Sequence, residues 1–348
     1  MSSLQCRIVD DMSASGWDVI LTRWGGSLFF SSAHTDPFAR LPGARVVRFM
    51  LYEKMGKPVA LAAGVERRSE IPLWAWLRHT VRFEALPALV RRDPRLQADA
   101  LSAIVRSLRQ MGVAVVSFSS KGSAPIGPPL EDVEFPIREK RVEFVIDLKQ
   151  DEDALWRSLS ESHRRAIRKA SPLEIETTRD PSSARVLFDL CRHSRRRRLA
   201  RGEDYPAFSY DVFLKIHEAY LAHNYAEVFL VRHRSSPACA GLIATFAGHA
   251  YYLVGGSSKT GFDLGASYRL FWEMLRILRS RSVRSLNLGG CPAGASTAHH
   301  DQHGLFRFKK GFGAAVVRCA APGEIALDPR RVRFADRVRE VVSRWRGR

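Results

Sequence analysis

Runs of alternating apolar and polar residues dominate the first half of the chain. Residues 45–53 and 58–66 each alternate over the length of a strand and are joined by Lys54-Met55-Gly56-Lys57, which predicts two adjacent strands. From Asp93 to Gly112 apolar residues recur at helical spacing, so a helix is expected there. The other predicted elements of this half are a strand that includes Trp74, Trp76, Val81 and Phe83, a strand at 113–118, a loop rich in proline and glycine at 119–136, and a strand at 141–148.

The second half repeats the order of adjacent strands, a helix and a further strand. Its clearest apolar face follows Gly265, where apolar residues between Leu270 and Leu278 recur at helical spacing. The run 284–288 predicts a strand that ends in a sharp turn at Gly289-Gly290, and the basic, aromatic stretch 304–313 is interpreted as a hairpin. The other predicted elements are helices at 151–170, 181–200 and 210–223, strands at 173–177, 226–232, 239–246, 250–257 and 314–319, and a final helix at 330–345 that buries Phe334, Val338, Val341 and Trp345.

This duplicated order of elements in 348 residues predicts an α/β protein with mixed sheets in two domains. Each half is long enough to bury a core of its own. The expected divisions are residues 1–147 for the first domain, 148–325 for the second, and 326–348 for a basic amphipathic helix at the C-terminus.

Positive charge is concentrated in the second half. The net charge of the chain is +19; residues 1–150 contain 21 basic and 16 acidic residues (+5), and residues 151–348 contain 34 and 20 (+14). A field of that sign attracts phosphates, whether they belong to RNA, a nucleotide or an anionic lipid.

The cysteines and the N-terminal sequence bear on the cellular compartment. Five scattered cysteines without CxxC spacing favour a reducing cytosol and exclude a disulfide framework or a zinc module. The first twenty residues contain three aspartates and no apolar core of a signal peptide. No apolar run approaches the roughly 20 residues of a membrane span. A soluble, cytoplasmic protein is therefore expected.

Several short motifs occur in an order that resembles a known family. They are Leu155-Trp156 with the helix Arg164 to Ala170, the strand Tyr251 to Ser257, Gly265-Ala266-Ser267-Tyr268, Leu288-Gly289-Gly290, and Phe308-Lys309-Lys310-Gly311-Phe312-Gly313. In this order they resemble the Fem family of aminoacyltransferases, which includes FemX, FemAB and their tandem-GNAT relatives. The resemblance covers most of the chain and implies two tandem GNAT-like N-acyltransferase domains packed side by side.

The resemblance also implies an activity and its partners. Fem proteins transfer an amino acid from aminoacyl-tRNA to an amine, mostly on peptidoglycan precursors, and need no cofactor. An aminoacyl-tRNA co-substrate and an amine acceptor are therefore expected, the acceptor being a precursor or a small natural product. Cell-wall relatives hold the acceptor with an Arg-x-x-x-Tyr segment, whereas the two corresponding places here are occupied by Ser209 and Phe213. A different amine thus stays open, as does acyl-CoA as the donor.

The resemblance assigns the chemistry to the Phe308-Lys309 pair. An amide-forming transfer needs a donor aimed at the oxygen that becomes negative in the tetrahedral intermediate. Lys309, with Lys310 as the alternative, resembles the family's residue for that role, and Phe308 resembles the one that stacks on a base of the tRNA 3′ end. Lys310, Tyr252, Tyr268 and Arg269 are the candidates for binding substrate. The alternative is a solvated basic hairpin beside aromatic and half-buried tyrosine residues of the core.

Gly265 and Ala266 occupy the place of the pyrophosphate-binding loop of CoA-dependent GNAT enzymes. There, backbone N–H groups at a helix N-terminus bind the anion. This loop carries a carboxylate at Asp263 and no basic residue between Gly261 and Ala266, which favours tRNA over CoA as the donor. A glycine that only begins the helix is the structural alternative.

Two clusters of basic residues are candidates for binding tRNA phosphates. They are Arg164, Arg165, Arg168 and Lys169 in one helix and Arg195, Arg196, Arg197 and Arg198 in another. Binding to several phosphates releases counterions, and an acceptor stem is recognised through its shape and phosphates. The alternative is an ordinary solvated surface.

Three roles stay open for the basic helix at the C-terminus. The three roles are a second contact with tRNA, a peripheral contact with an anionic membrane, and packing on the protein with the basic residues on the solvated face. The last of these is preferred. A metal site is not expected, since His299, His300, Asp301 and His303 match no standard ligand spacing. No nucleophile motif is present and no residue is assigned as general base.

Overall fold

The computed structural model describes residues 4–9, 11–122, 141–202, 209–222, 225–319 and 324–346, with only the backbone for 342–346. The strands are β1 (Gln5–Ile8), β2 (Ala44–Tyr52), β3 (Pro58–Arg67), β4 (Thr80–Phe83), β5 (Ala88–Leu89), β6 (Val115–Phe118), β7 (Arg141–Asp147), β8 (Glu174–Thr178), β9 (Ala226–His233), β10 (Ser236–Phe246), β11 (His249–Ser257), β12 (Ser285–Pro292), β13 (Ala315–Cys319) and β14 (Glu324–Ala326). The α-helices are α1 (Ala14–Arg23), α2 (Ser32–Ala39), α3 (Pro72–Leu77), α4 (Pro94–Gln110), α5 (Glu152–Ser158), α6 (Glu161–Lys169), α7 (Ser183–Leu199), α8 (Tyr210–Ala222), α9 (Lys259–Asp263), α10 (Ala266–Ser280), α11 (His303–Lys310) and α12 (Pro329–Arg346).

The chain divides into two compact units that differ from the predicted domains. Unit 1 comprises residues 1–140 and 319–348, and unit 2 comprises residues 141–318. The boundary therefore precedes β7 instead of following it at 147, because β7 pairs with β12 of the second sheet. The C-terminal part belongs to unit 1, because β14 pairs with β6 and α12 packs on α3.

Unit 1 is built on the sheet β1-β2-β3-β4-β6-β14, with β5 paired to β3. Neighbouring strands from β1 to β4 are antiparallel, whereas β4 and β6 are parallel. Parallel strands need a crossover connection, and here the segment between β4 and β6 contains the helix α4. Asp93 begins α4 by accepting hydrogen bonds from the N–H groups of Arg95 and Leu96, as its place before Pro94 predicts.

Unit 2 has the sheet β13-β7-β12-β11-β10-β9-β8 and repeats this connectivity. Antiparallel strands β9, β10 and β11 are followed by α10 and then by β12, which is parallel to β11. The core includes the face of α10 predicted from the sequence, with Leu270, Met274 and Leu275 fully buried. Both units therefore confirm the predicted α/β class with mixed sheets.

Some predicted elements were wrong. Trp74 and Trp76 lie in α3 instead of a strand, because Pro72 begins a short helix and only 80–83 continue as β4. The single helix predicted for 151–170 is two helices, because Leu159 is extended and Ser160 begins α6 by accepting a hydrogen bond from His163 N. The predicted loop 119–136 lies outside the described residues from position 123 onward.

The C-terminal helix also differs from its prediction in what it buries. Phe334 and Val341 are more than half exposed, whereas Ala335 is fully buried. Val338 is half-buried, and the side chain of Trp345 lies outside the described part of the chain. Within that part, no helix combines the length and apolarity that crossing a bilayer requires.

Candidate active site

Residues 303–310 form the helix α11, not the predicted hairpin. Phe306 and Lys309, three residues apart, are on its buried face, while Arg307 and Lys310 are exposed. The ring of Phe306 packs edge-on against Phe144 of β7 at a centroid distance of 5.2 Å. Helix α11 therefore carries a lysine into the interior of unit 2.

Strands β11 and β12 separate next to this helix. Their parallel pairing covers only His249–Tyr251 and Ser285–Asn287, although β11 continues to Ser257 and β12 to Pro292. The predicted turn at Gly289-Gly290 is a bulge inside β12, where the register with β7 shifts between Asn287 and Gly290. Gly289 has φ +72°, which glycine adopts at little cost. The separation leaves an opening between two neighbouring strands.

Lys309 lies at this opening. Its side chain is 7% exposed, and Nζ donates a hydrogen bond to the Gly290 carbonyl oxygen at 3.3 Å. Nζ also lies 5.8 Å from the ring centroid of Phe144. Burial lowers the pKa of Lys309 to about 7, with Cys291 and Glu143 opposing this and Arg141 and Arg198 adding to it. The amine is therefore available in both protonation states near neutral pH.

A buried hydrogen-bond chain fixes the bulge beside Lys309. Asn287 Nδ2 donates to Glu143 Oε2 at 2.7 Å, and Gly289 N donates to Asn287 Oδ1 at 2.8 Å. Arg141 Nε lies 3.9 Å from Glu143 Oε1. Glu143 and Asn287 were not predicted from the sequence, where the signal for each is a polar residue at an inward position of an otherwise apolar strand.

His163 of α6 holds the other side of α11 and was also missed. Its Nε2 donates to the Phe308 carbonyl oxygen at 2.9 Å, and its Nδ1 lies 2.7 Å from Ser160 Oγ. Burial lowers the pKa of His163, which favours the neutral ring, in which Nδ1 accepts a hydrogen bond from the hydroxyl. A Cβ at Gly311 would be 2.0 Å from His163 Cε1, so the close packing requires glycine.

An open pocket of about 620 Å³ lies on this face of α11. Phe308 and Tyr268 contribute aromatic rings whose centroids are 5.2 Å apart, and Arg307 and Lys310 contribute positive charge. The lining residues are Ser158, Ser160, Ser162, His163, Tyr268, Gly304, Arg307, Phe308, Lys310 and Gly311. The structure thus brings together the predicted residues Phe308, Tyr268 and Lys310, whereas Lys309 points to the opposite face of the same helix.

Tyr252 and Arg269 do not line this pocket. Tyr252 packs its ring against Phe271 at 4.9 Å, and a Cβ at Gly255 would be 1.9 Å from its hydroxyl oxygen. Arg269 forms an ion pair with the buried Glu273 at 2.9 Å. Both side chains therefore contribute to packing, and their predicted role in substrate binding stays a prediction.

The basic residues of α6 are divided between internal contacts and the surface. Arg164 donates to the carbonyl oxygens of Leu159 and Arg157 and so caps α5, and Arg168 lies over the ring of Trp156 at 5.4 Å. Arg165 forms an exposed ion pair with Glu161 at 3.7 Å, and Lys169 is exposed. Arg165 and Lys169 are thus better placed than Arg164 to bind phosphates.

The four consecutive arginines of α7 point in different directions. Arg197 donates to Ser257 O at 2.6 Å and to Ser257 Oγ at 2.8 Å, which ties α7 to the end of β11. Arg196 is exposed, Arg195 and Arg198 are half-buried, and Arg198 contributes to the lowered pKa of Lys309. Residues on a helix are 100° apart, so a continuous arginine run cannot form one flat basic surface.

Gly265 and Ala266 form the start of α10. Gly265 has φ +72° and Ala266 is fully buried, so both serve the helix–sheet packing. Asp263 forms an ion pair with Lys259 at 2.7 Å, which reduces the repulsion on which the sequence-based argument against CoA depended. Among the described residues, no group of three or more histidine, cysteine or acidic side chains is placed to bind a metal ion.

Comparison with known proteins gives a family-model match over part of the chain and a shared fold over most of it. The FemAB family model matches residues 224–337, a segment that includes β11, α10, β12 and α11. The structure is similar to the crystal structure of FemX, with 14% identity, coverage of 91% of this chain and 96% of that chain, and a TM-score of 0.70. It is also similar to a tandem GNAT protein from the clavulanic acid biosynthesis pathway, with 12% identity, coverage of 94% and 99%, and a TM-score of 0.53. No curated protein sequence matches the chain.

Proposed function

We propose, from a FemAB-family segment within the tandem GNAT fold of FemX, that this chain is an aminoacyltransferase. It takes an aminoacyl group from the 3′ end of a charged tRNA and forms an amide with an amine acceptor. The fold and the family segment support an acyltransferase, and the predicted Fem-family resemblance is confirmed at that level. The aminoacyl-tRNA donor and the amine are the proposal.

The position of Lys309 is the observation that supports this function most directly. It places a positive charge at the opening between β11 and β12, on the helix that also lines the pocket. A protonated amine in a poorly solvated place interacts with a developing oxyanion far more strongly than one in bulk water. Such a charge is costly to bury, so its retention favours a chemical role.

The reaction balances without a covalent enzyme intermediate. The acceptor nitrogen, as the free amine, attacks the ester carbonyl, and the tetrahedral intermediate carries its negative charge on the carbonyl oxygen. The bond to the ribose 3′ oxygen then breaks, and the proton lost by the nitrogen is taken up by that leaving oxygen. Lys309 in its ammonium form donates hydrogen bonds to the oxyanion.

The pocket, which lies on the face of α11 away from Lys309, is suited to a nucleotide of the acceptor strand that precedes the one carrying the ester. Phe308 and Tyr268 provide rings on which a base can stack, a contact worth roughly 1–3 kcal/mol per base. The serines offer hydroxyl groups to a ribose, and Arg307 and Lys310 lie where a phosphate would follow. Arg165 and Lys169 are exposed for more distant phosphates.

A second candidate function is acyl transfer from CoA. It is favoured by the pairing of Asp263 with Lys259 and by the N-terminus of α10, which has no side-chain cap. Titration of the chain with acetyl-CoA in a calorimeter distinguishes the two donors. Saturable binding with an acetylated amine product would replace the tRNA donor with CoA.

The test of the main proposal is transfer of a labelled amino acid from charged tRNA to a panel of amines. The product amide survives mild alkali, which hydrolyses the tRNA ester. We expect Lys309→Met to reduce the transfer rate by on the order of 10²–10³-fold, the usual effect of losing one oxyanion donor. Lys215→Met, at an exposed position of α8, is the matched control and keeps the wild-type rate. Wild-type rates in the Lys309 variant would contradict the assignment.

A further inference from the structure

A group of exposed apolar side chains in unit 1 has no part in the site of unit 2. In the described part of the chain, eight large apolar side chains are more than half exposed. Five of these eight lie on α12 or on α3 and the residue before it, so they are not scattered singly over the surface. We name Ile71, Leu73, Trp76, Phe334 and Val341 the exposed apolar face; each is between 51% and 59% exposed.

Helix α12 is fixed to unit 1 through the side that carries Arg331, Ala335 and Asp336, not through the side that carries Phe334 and Val341. The Arg331 guanidinium lies 4.6 Å from the ring centroid of Trp76 and donates to the Gly112 carbonyl oxygen at 3.0 Å. Asp336 pairs with Arg78 at 2.5 Å, and Ala335 is fully buried. Phe334 and Val341, seven residues apart, share a side of the helix that is turned away from Ala335.

The same side of α12 carries three of the seven arginines of the helix. The helix also contains Asp336 and Glu340. Arg330, Arg333 and Arg337 are exposed and fall, at 100° per residue, on the flank that carries Phe334 and Val341. An apolar stripe bordered by arginines is the pattern of a helix that lies in the interface of an anionic bilayer.

We propose that α12 and α3 together dock unit 1 on the surface of an anionic phospholipid membrane. The arginines approach lipid phosphates, while Leu73, Trp76, Phe334 and Val341 enter the region of the headgroups and upper acyl chains. Binding to RNA would use the arginines but would leave the aliphatic side chains in water, so charge and apolarity together favour lipid over RNA. The contact is peripheral and independent of the proposed acyl transfer.

Flotation of the full chain with vesicles tests this. We expect the chain to float with mixed phosphatidylcholine and phosphatidylglycerol vesicles, to stay behind with phosphatidylcholine alone, and to dissociate as salt is raised. The pair Leu73→Ser/Phe334→Ser, which leaves the Trp76–Arg331 contact intact, should reduce the partition coefficient at least about tenfold. Each of Arg330→Gln and Arg337→Gln should reduce it about fivefold.

Met55→Ser is the matched control. Met55 is 97% exposed in the turn between β2 and β3 and is flanked by Lys54 and Lys57, so it is an apolar side chain in a basic setting elsewhere in unit 1. Its substitution should leave flotation unchanged.

Three outcomes would overturn the proposal. These are no flotation with anionic vesicles, equal losses from Met55→Ser and the Leu73/Phe334 pair, or flotation that depends on the arginines but not on the apolar residues. Binding of labelled tRNA to the same variants tests the alternative that α12 contacts RNA. If the arginine variants lose tRNA binding and the wild-type chain never floats, α12 is an RNA contact.

Discussion

Replacing Lys309 by methionine should stabilise the protein in a pH-dependent way. The ordinary pKa of a lysine is 10.5, and burial lowers that of Lys309 to about 7. At pH 6 the amine is charged in both the folded and the unfolded chain, and the folded chain carries the full cost of a buried charge. Between pH 7 and 10.5 the unfolded chain holds a proton that the folded chain has released, so the free energy of unfolding of the wild type rises with pH.

The size of the effect follows from the two pKa values. Each unit of pKa corresponds to 1.36 kcal/mol, so the shift from 10.5 to about 7 is a cost of about 5 kcal/mol at pH 6. Loss of the hydrogen bond to Gly290 O offsets about 1 kcal/mol of the gain. K309M should therefore be about 4 kcal/mol more stable than the wild type at pH 6, and this advantage should disappear as the pH approaches 10.5.

Urea unfolding of K309M, K215M and the wild type at several pH values between 6 and 10 measures this difference. K309M and the wild type share every titrating group except Lys309, so the pH dependence of the difference between them reports Lys309 alone. K215M should follow the wild type, because Lys215 is exposed. A difference that stays constant over this range, or a K309M variant that is less stable at pH 6, would refute the burial argument.

Three further perturbations test the surroundings of the site and of unit 1. Burial would raise the pKa of Glu66, but hydrogen bonds from His79 and Arg45 lower it to about 2. The free energy of unfolding of E66Q should therefore be about 3 kcal/mol below that of the wild type at pH 7. The urea midpoints of the two proteins should converge as the pH falls from about 4.5 toward 2. H163A leaves the Phe308 carbonyl without its donor and should lower the free energy of unfolding, measured by chemical denaturation, by about 1–3 kcal/mol. H163Q keeps an N–H donor and should recover part of that loss. G289A forces a side chain into φ +72° and puts its Cβ 3.5 Å from Lys309 Nζ. It should therefore lower the free energy of unfolding by about 1–2 kcal/mol and also slow the transfer. G56A, at φ +77° with nothing within 4 Å of its Cβ, should show only the loss of stability.

Elements with a strong local pattern were predictable from the sequence. The strands β2 and β3 alternate clearly, and α4 has both a capping aspartate and a continuous apolar face. The duplicated order of elements and the Fem-family motifs were sufficient for the tandem GNAT fold. In each case the tertiary structure and the local propensity favour the same conformation.

Helix α11 was missed because its buried face contains a charged residue. A sequence-based search for apolar periodicity counts Lys309 as polar, which interrupts the stripe that begins at Phe306. Flanking glycines and alternating aromatic and basic residues then favour a hairpin. The interior position of Lys309 depends on the separation of β11 from β12, which is a long-range property of the sheet. No local window of the sequence contains that information.

The arginine run shows the opposite limit, where a conspicuous motif does not form one surface. Arg197 is used internally, at the end of β11, while Arg196 is exposed. A count of charges therefore overestimates the basic surface that tRNA can contact. Three exposed arginines of α12, by contrast, lie on one flank beside apolar side chains, although the sequence-based interpretation preferred a packed helix.

The environment of Lys309 suits it to stabilise the oxyanion of the proposed transfer. The Gly290 carbonyl and the ring of Phe144 hold the amine without neutralising it, and Arg141 and Arg198 help to lower its pKa. An ammonium group with a pKa of about 7 is a stronger acid than an ordinary lysine, so it shares its proton more fully with an oxyanion. An ordinary carboxylate partner would raise the pKa and cancel that advantage. Glu143, whose Oε2 accepts a hydrogen bond from Asn287, does raise the pKa of Lys309, but burial outweighs it and the amine stays acidic.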